Sequence, residues 1–190
     1  MLRPVGVGHS MPLILPKGSG VVHQACLVAN LSSLVLDYVA RQKVGGVNLT
    51  FFYLMQLPVL PPGAYDDIDC GYVSSRVLEL AYTSTSMQPF ARALGYNGSP
   101  FSWDPDRRAW LRAELDAYYA RAYGLTRDEL RYILDPSDAL GSDYPSETFR
   151  VLKEAEVREF GEYRTARLVL RAWDESERIQ SGLTVAGSSG

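Results

Sequence analysis

The sequence predicts a mainly α-helical protein with a small β element near its N-terminus (α+β) and a helical C-terminal half. Three observations carry that reading. Apolar residues recur at three- and four-residue spacing from residue 21 onward. Helix start and stop signals punctuate the second half. A short apolar run bounded by Gly and Pro lies at residues 11–15. Of the 190 residues 46% are apolar and 22% charged, so the chain can bury a core and is not disordered as a whole.

Residues 1–20 carry Gly6, Gly8, Pro12, Pro16, Gly18 and Gly20 around the run Met11–Leu15. That run reads as a short strand, at a sheet edge because Pro12 has no N–H to donate. Residues 21–43 read as one helix, buried on most sides, with Leu27, Leu31, Leu34, Val35, Tyr38 and Val39 as its stripe. Arg41-Gln42-Lys43 followed by Gly45-Gly46 is its stop signal. Leu49–Leu54 favours a strand or a short buried turn of helix. Leu57–Pro62 must be extended, because each residue before Pro is pushed out of the α region. The acidic stretch GAYDDIDCG, residues 63–71, reads as a linker.

Helices follow. Residues 72–82 place Val73, Val77, Leu80 and Ala81 on one side. Pro89 opens a short helix to Leu94, closed by Gly95, and residues 96–103 are a loop. Asp104 is an N-cap with Pro105 at the first helical position. That helix runs through Trp110, Leu111, Leu115, Tyr118 and Tyr119 to Gly124. Thr126 and Glu129 form a capping box for a helix that stops before Asp135-Pro136. Ser146 caps a helix from Glu147 to Phe160, Gly161 breaks it, and Glu162 begins a last helix ending near Arg178. The expected organisation is a first part over 1–62, a linker over 63–71, a helical domain over 72–178 and a disordered tail over 179–190.

The net charge of −3 hides an asymmetry: residues 1–60 hold four basic residues and one acidic, residues 61–190 hold 15 basic and 21 acidic. Arg outnumbers Lys 16 to 3. No apolar run reaches the roughly 18 residues of a membrane span. The N-terminus has no signal-peptide pattern. A cytoplasmic protein with no membrane partner is therefore expected. Two cysteines, Cys26 and Cys70, do not make a disulfide framework or a thiolate zinc site, and with His9 and His23 alone beside them they argue against a metal centre. Cys26 reads as a buried thiol. Asp66, Asp67 and Asp69 read as solvated acids.

No catalytic, cofactor or metal residues can be assigned. Gly6-Val7-Gly8 lacks the third glycine and preceding strand of a dinucleotide fingerprint, and Gly18-Ser19-Gly20 lacks the spacing of a nucleophile elbow. Two basic clusters remain. Arg41, Gln42, Lys43 and Asn48 surround a glycine pair at a helix end, a setting that brings side chains and backbone N–H groups to a phosphate or a base edge. The competing reading, favoured by composition alone, is helix capping: Arg and Lys complement the negative end of the dipole, and Gly45 adopts the left-handed conformation. Arg164 and Arg167 share a helical face. There the competing reading is pairing with Glu159, Glu162 or nearby acids.

The stretch SSLVLDYVARQKVGGVNLTFFYLMQLPVLPP, Ser32–Pro62, resembles the end of the target recognition domain of type IIG restriction-modification DNA methyltransferases and, in its helix-to-loop segment, type I specificity subunits. The segments RVLELAYTSTSMQPFARALGY, PFSWDPDRRAWLRAELDAYYARAYGLTRDELRYILDP and ETFRVLKEAEVREFGEYRTARLVLRAWD are similar to the extreme C-terminus of large phage-defence adenine methyltransferases. The resemblance spans residues 5–175. It implies target-DNA recognition, or structural support of it, with double-stranded DNA as partner and Arg41, Gln42, Lys43, Asn48, Arg164 and Arg167 as candidate contacts. It also implies a parent enzyme that uses S-adenosylmethionine and flips its target base. The catalytic motif of that family is absent: neither Leu60-Pro61-Pro62-Gly63 nor Asp135-Pro136-Ser137 has a polar residue before the prolines and an aromatic after them. No cofactor is therefore expected on this chain. Its partner would include the catalytic methyltransferase domain or another defence-system subunit. The alternatives are a helical protein-interaction module and the non-functional remnant of a truncated gene.

Overall fold

The computed structural model describes residue 14 and residues 16–45, 49–144 and 148–187, with side chains through residue 176. All regular structure among the described residues is helical. The expected strand Met11–Leu15 lies, apart from Ile14, outside the described residues. The chain divides into two compact units, Met1–Asp104 and Pro105–Gly190.

The first unit contains α1 (Val21–Leu31), α2 (Leu34–Lys43), α3 (Phe51–Leu54), α4 (Asp67–Ala81) and α5 (Gln88–Ala93), with 3₁₀ turns at Pro62–Ala64 and Thr85–Met87. The single helix expected over residues 21–43 is two. Ser33 breaks it: its Oγ donates to Asn30 O at 2.8 Å and accepts from Leu36 N, ending α1 and capping α2 together. The apolar stripe crosses this break, so periodicity alone could not show it. Asn30 is fully buried, and its Oδ1 accepts from Leu60 N at 2.9 Å, which ties the Leu-Pro segment back to α1.

Within residues 49–54, Phe51–Leu54 form one turn of helix, α3, whose Phe51 and Phe52 are exposed rather than buried. The expected linker is also corrected. Asp66 accepts from Asp69 N at 2.7 Å while the Asp69 carboxylate accepts from Asp66 N, a capping box that starts α4 within residues 63–71. The two units divide at 104–105. α1 packs along α4, with Ala25, Cys26 and Ala29 buried on one and Val73, Val77 and Leu78 on the other. Small residues on α1 allow the close approach. Tyr82, 1% exposed, is bracketed edge-on by Tyr96 and Phe101, and Phe101 N donates to its carbonyl at 2.9 Å.

The second unit contains α6 (Pro105–Ala122), α7 (Arg127–Leu134), α8 (Pro136–Leu140), α9 (Arg150–Phe160) and α10 (Arg164–Gly187). α6 lies along α10. Leu111, Leu115 and Tyr119 are buried on the first, and Leu168, Val169, Ala172 and Trp173 on the second. Burial of the leucine and valine side chains among them is worth about 1.5–3 kcal/mol each. Arg121 lies 3.8 Å over the Trp173 ring and donates to Trp173 O at 2.8 Å, joining the last turn of α6 to α10. Arg127 grips Asp174 through two hydrogen bonds of 2.7 and 3.0 Å.

The Thr126–Glu129 capping box forms as its sequence predicts. Asp135-Pro136 ends α7 and also opens α8, because the Asp135 carboxylate caps Ser137 N. Ser146 and Glu147 lie outside the described residues, and α9 starts at Arg150. Gly161 closes α9 at φ +77, a left-handed turn that costs a side-chain-bearing residue about 1–2 kcal/mol. The helical backbone of α10 continues to Gly187, past the end expected near Arg178 and through part of the expected tail. The one breaker before Gly187 is Gly182, which a helix tolerates at about 1 kcal/mol.

Candidate functional site

The basic end of α2 is exposed, as a DNA contact requires, but its charge is partly committed. Arg41 Nε donates to Asp37 Oδ1 at 2.9 Å, one turn back on the same helix. Gln42 and Lys43 are exposed in the same last turn. Asn48 lies outside the described residues. The helix ends on Val44 in extended conformation, its N–H bonded to Ala40 O at 2.9 Å. Gly45 does not take the left-handed cap expected of it. Beyond it, α3 exposes Phe51 and Phe52, and Met55 follows 80% exposed.

Arg164 and Arg167 are both held by carboxylates. Arg164 Nη2 donates to Asp106 Oδ1 at 2.7 Å, and its guanidinium lies 4.9 Å from the Phe160 ring centre. Arg167 Nε faces both oxygens of Glu162 at 2.8–2.9 Å. That hydrogen bond, with the Arg167 and Arg164 charges, holds the Glu162 carboxyl below the usual carboxylate range. A phosphate reaching these arginines would have to displace a carboxylate already in place. Glu156 completes the α9–α10 corner: its two oxygens accept from Thr165 N at 2.7 Å and Thr165 Oγ1 at 2.6 Å, at the start of α10.

Sequence reasoning missed the face of α9. This helix buries none of its residues, and Val151 is 76% exposed. Arg150, Lys153, Glu154, Val157 and Arg158 line an open groove of about 750 Å³. Arg150 has no carboxylate partner among the described residues, and Arg158 spends its Nε on Glu154 O at 3.4 Å. The signal was present in the sequence, since Arg150, Glu154 and Arg158 repeat every four residues beside Val151 and Val157.

Lys153, which also lines that groove, anchors α9. Its ammonium donates to Asp135 Oδ2, and to Ser137 Oγ at 3.2 Å, while Ser137 Oγ donates to Asp135 Oδ1 at 2.7 Å. Burial pushes the Asp135 carboxyl up. The hydrogen bonds from Lys153 and Ser137 and the Lys153 charge outweigh it, so the group sits below its ordinary range. The serine hydroxyl gives its proton to a carboxylate and faces an ammonium, so the trio acts as a staple between α9 and the α7–α8 junction. Burial, with the Glu156, Asp135 and Asp116 carboxylates nearby, pushes the Tyr163 hydroxyl up. That hydroxyl is buried without a hydrogen-bond partner among the described residues.

No group of three or more metal-ligating side chains occurs among the described residues. No strand–glycine loop–helix unit occurs among them either. Among the described residues no helix is long and apolar enough to cross a membrane. No family model matches the chain, and no curated protein or solved structure matches it.

Proposed function

We propose that this chain is a non-catalytic recognition module whose second unit docks an acidic, partly apolar segment of a partner protein along α9. The observation that supports it is the groove in which Arg150 and Arg158 flank Val157, with no carboxylate partner for either arginine among the described residues. The other arginines that sequence reasoning nominated in this unit are committed to Asp106 and Glu162. Apolar surface beside cations suits a polypeptide better than a phosphate backbone.

A second reading, target-DNA recognition within an adenine methyltransferase of a restriction or phage-defence system, draws support from the exposed last turn of α2 with Arg41, Gln42 and Lys43. In that reading the parent enzyme supplies S-adenosylmethionine chemistry elsewhere, and the partner of α9 is its catalytic domain or another subunit of the system.

One experiment separates them. The chain is titrated by anisotropy with a labelled amphipathic helix bearing one Glu face and one Leu face, and in parallel with duplex DNA at several salt concentrations. The docking reading expects saturable peptide binding that weakens about ten-fold or more, or about 1.4 kcal/mol, when Arg150 and Arg158 are both reversed to Glu. DNA binding with a log–log salt slope of about −2 to −4 and no peptide binding would overturn it in favour of the DNA reading.

A further inference from the structure

The first unit places one asparagine where its own backbone can modify it. Of the three asparagines in the sequence, Asn97 alone precedes a glycine. Asn30 is buried, accepts from Leu60 N and is followed by Leu31; Asn48 is followed by Leu49, whose side chain hinders its backbone nitrogen as a nucleophile. Asn97 and Gly98 are both exposed, in the loop that follows α5. Neither the Asn97 carboxamide nor the Gly98 N–H has a hydrogen-bond partner among the described residues. We propose that Asn97 is a site of intramolecular deamidation, in which the Gly98 nitrogen displaces ammonia from the Asn97 side chain and leaves aspartate or isoaspartate at position 97.

Packing keeps the glycine that makes this chemistry possible. Gly98 is not at positive φ, so its backbone conformation does not require glycine. Its neighbour does: a Cβ at position 98 would overlap the Tyr96 hydroxyl and lie 2.6 Å from the Tyr96 Cζ. The Tyr96 ring is held there, stacked on Phe101 with ring centres 5.0 Å apart and edge-on to Tyr82 at 6.0 Å. The aromatic cluster thus fixes a residue without a side chain next to an exposed asparagine. The reaction needs only water. The bond from Gly98 N to Asn97 Cγ forms as the Cγ–Nδ2 bond breaks, and ammonia leaves with the Gly98 amide proton. Water then opens the cyclic imide. Cleavage of its N–Cγ bond gives aspartate; cleavage of its bond to the main-chain carbonyl carbon gives isoaspartate, whose chain runs through Cβ and Cγ. Isoaspartate adds a methylene to a loop pinned on both sides, by Tyr96 N on Ala91 O and Phe101 N on Tyr82 O, each at 2.9 Å. The Tyr82 hydroxyl, on a residue 1% exposed, donates to Gly98 O at 3.3 Å within that loop. The longer chain moves this carbonyl off the hydroxyl and leaves a shielded polar group without its acceptor.

The test ages the full chain at mildly alkaline pH, folded and in urea. Conversion is read by peptide mass and by enzymatic methylation of isoaspartyl carboxylates. Expected is conversion confined to the peptide that holds Asn97, faster at higher pH, with the folded rate within about ten-fold of the unfolded one, about 1.4 kcal/mol of barrier. Asn97→Gln should stay unmodified and keep its Tm on ageing. Asn97→Asp carries the new charge without the extra methylene, so it should melt near the native chain, and the isoaspartate form should melt below it. The proposal is overturned if Asn97 survives in the folded chain while the unfolded chain converts, if Asn97→Gln acquires isoaspartate as fast as the native protein, or if the isoaspartate form melts with Asn97→Asp.

Discussion

Replacing Lys153 with Met isolates the staple that holds α9. In the native unit Lys153 faces Asp135, whose side chain is 11% exposed, while Lys153 itself is 30% exposed. Removing one partner of a fully buried pair costs about 3–5 kcal/mol, and an exposed pair is worth about 0.2–1 kcal/mol. This pair lies between those limits, and Asp135 keeps its hydrogen bonds from Ser137 N and Oγ. A loss of about 2 kcal/mol is therefore expected at pH 7, or roughly 8–16 °C in Tm for a unit of this size. The sign of the pH dependence follows from Asp135. Its folded carboxyl lies below the unfolded value near 3.8, so its contribution is full above that value and is lost as pH falls through the folded one. The gap between native and Lys153→Met should stay constant from pH 7 to pH 5 and close below about pH 4. A double-mutant cycle sharpens the test. Asp135→Asn keeps a good N-cap residue and destabilises the native protein, yet in the Lys153→Met background it removes an uncompensated buried charge and should stabilise. Urea unfolding at pH 7, 5 and 3.5 reads all of this. A Lys153→Met cost that is the same at every pH, or an Asp135→Asn change that destabilises equally in both backgrounds, would refute the staple.

Three further outcomes are expected. Leu115→Ala removes a 7%-exposed leucine of α6 and should cost about 2–5 kcal/mol in denaturant unfolding; an unchanged midpoint would show that α6 is not packed as described. Tyr163→Phe deletes a buried hydroxyl without a partner among the described residues and should be neutral or stabilising by up to about 1 kcal/mol in the same assay. Arg41→Ala with Lys43→Ala should lose a few tenths to about 1 kcal/mol of stability through the helix end and the Asp37 pair. Under the docking proposal this double variant leaves peptide binding unchanged, whereas under the DNA reading it flattens the salt slope by up to about two units.

Local signals in this sequence were legible and distant ones were not. The Thr126–Glu129 box and the glycines at 95, 124 and 161, all at positive φ, mark helix ends that a reader can find without coordinates. Two local signals were misread because they serve two purposes. The acidic run around Asp66 looks like solvated linker but caps a helix, and Asp135-Pro136 looks like a stop but also opens the next helix. The break at Ser33 was hidden because apolar spacing continues across it. Arg41 and Arg167 find acids four and five residues away, within reach of sequence reasoning, but Arg164 finds Asp106 across 58 residues and Lys153 finds Asp135 across 18. Only the fold reveals which cations are already committed, and the choice between DNA and protein turns on that.

The weight of a cation in recognition depends on what it leaves behind. When a phosphate takes Arg164 or Arg167, Asp106 or Glu162 loses its partner, and the net gain is the difference between two similar charge-assisted contacts. When an acidic side chain takes Arg150 or Arg158, no carboxylate among the described residues is orphaned, so the contact keeps its full value, about 0.2–1 kcal/mol at an exposed site. Such contacts alone would bind nothing tightly. The apolar residues beside them change the balance, because covering about 100 Å² on Val151 and Val157 would add about 2.5 kcal/mol. A duplex offers phosphates there but little to cover those side chains, whereas an amphipathic helix offers carboxylates and an apolar stripe with the same four-residue repeat as α9. That match of period and charge is the physical ground for proposing a protein partner on this face.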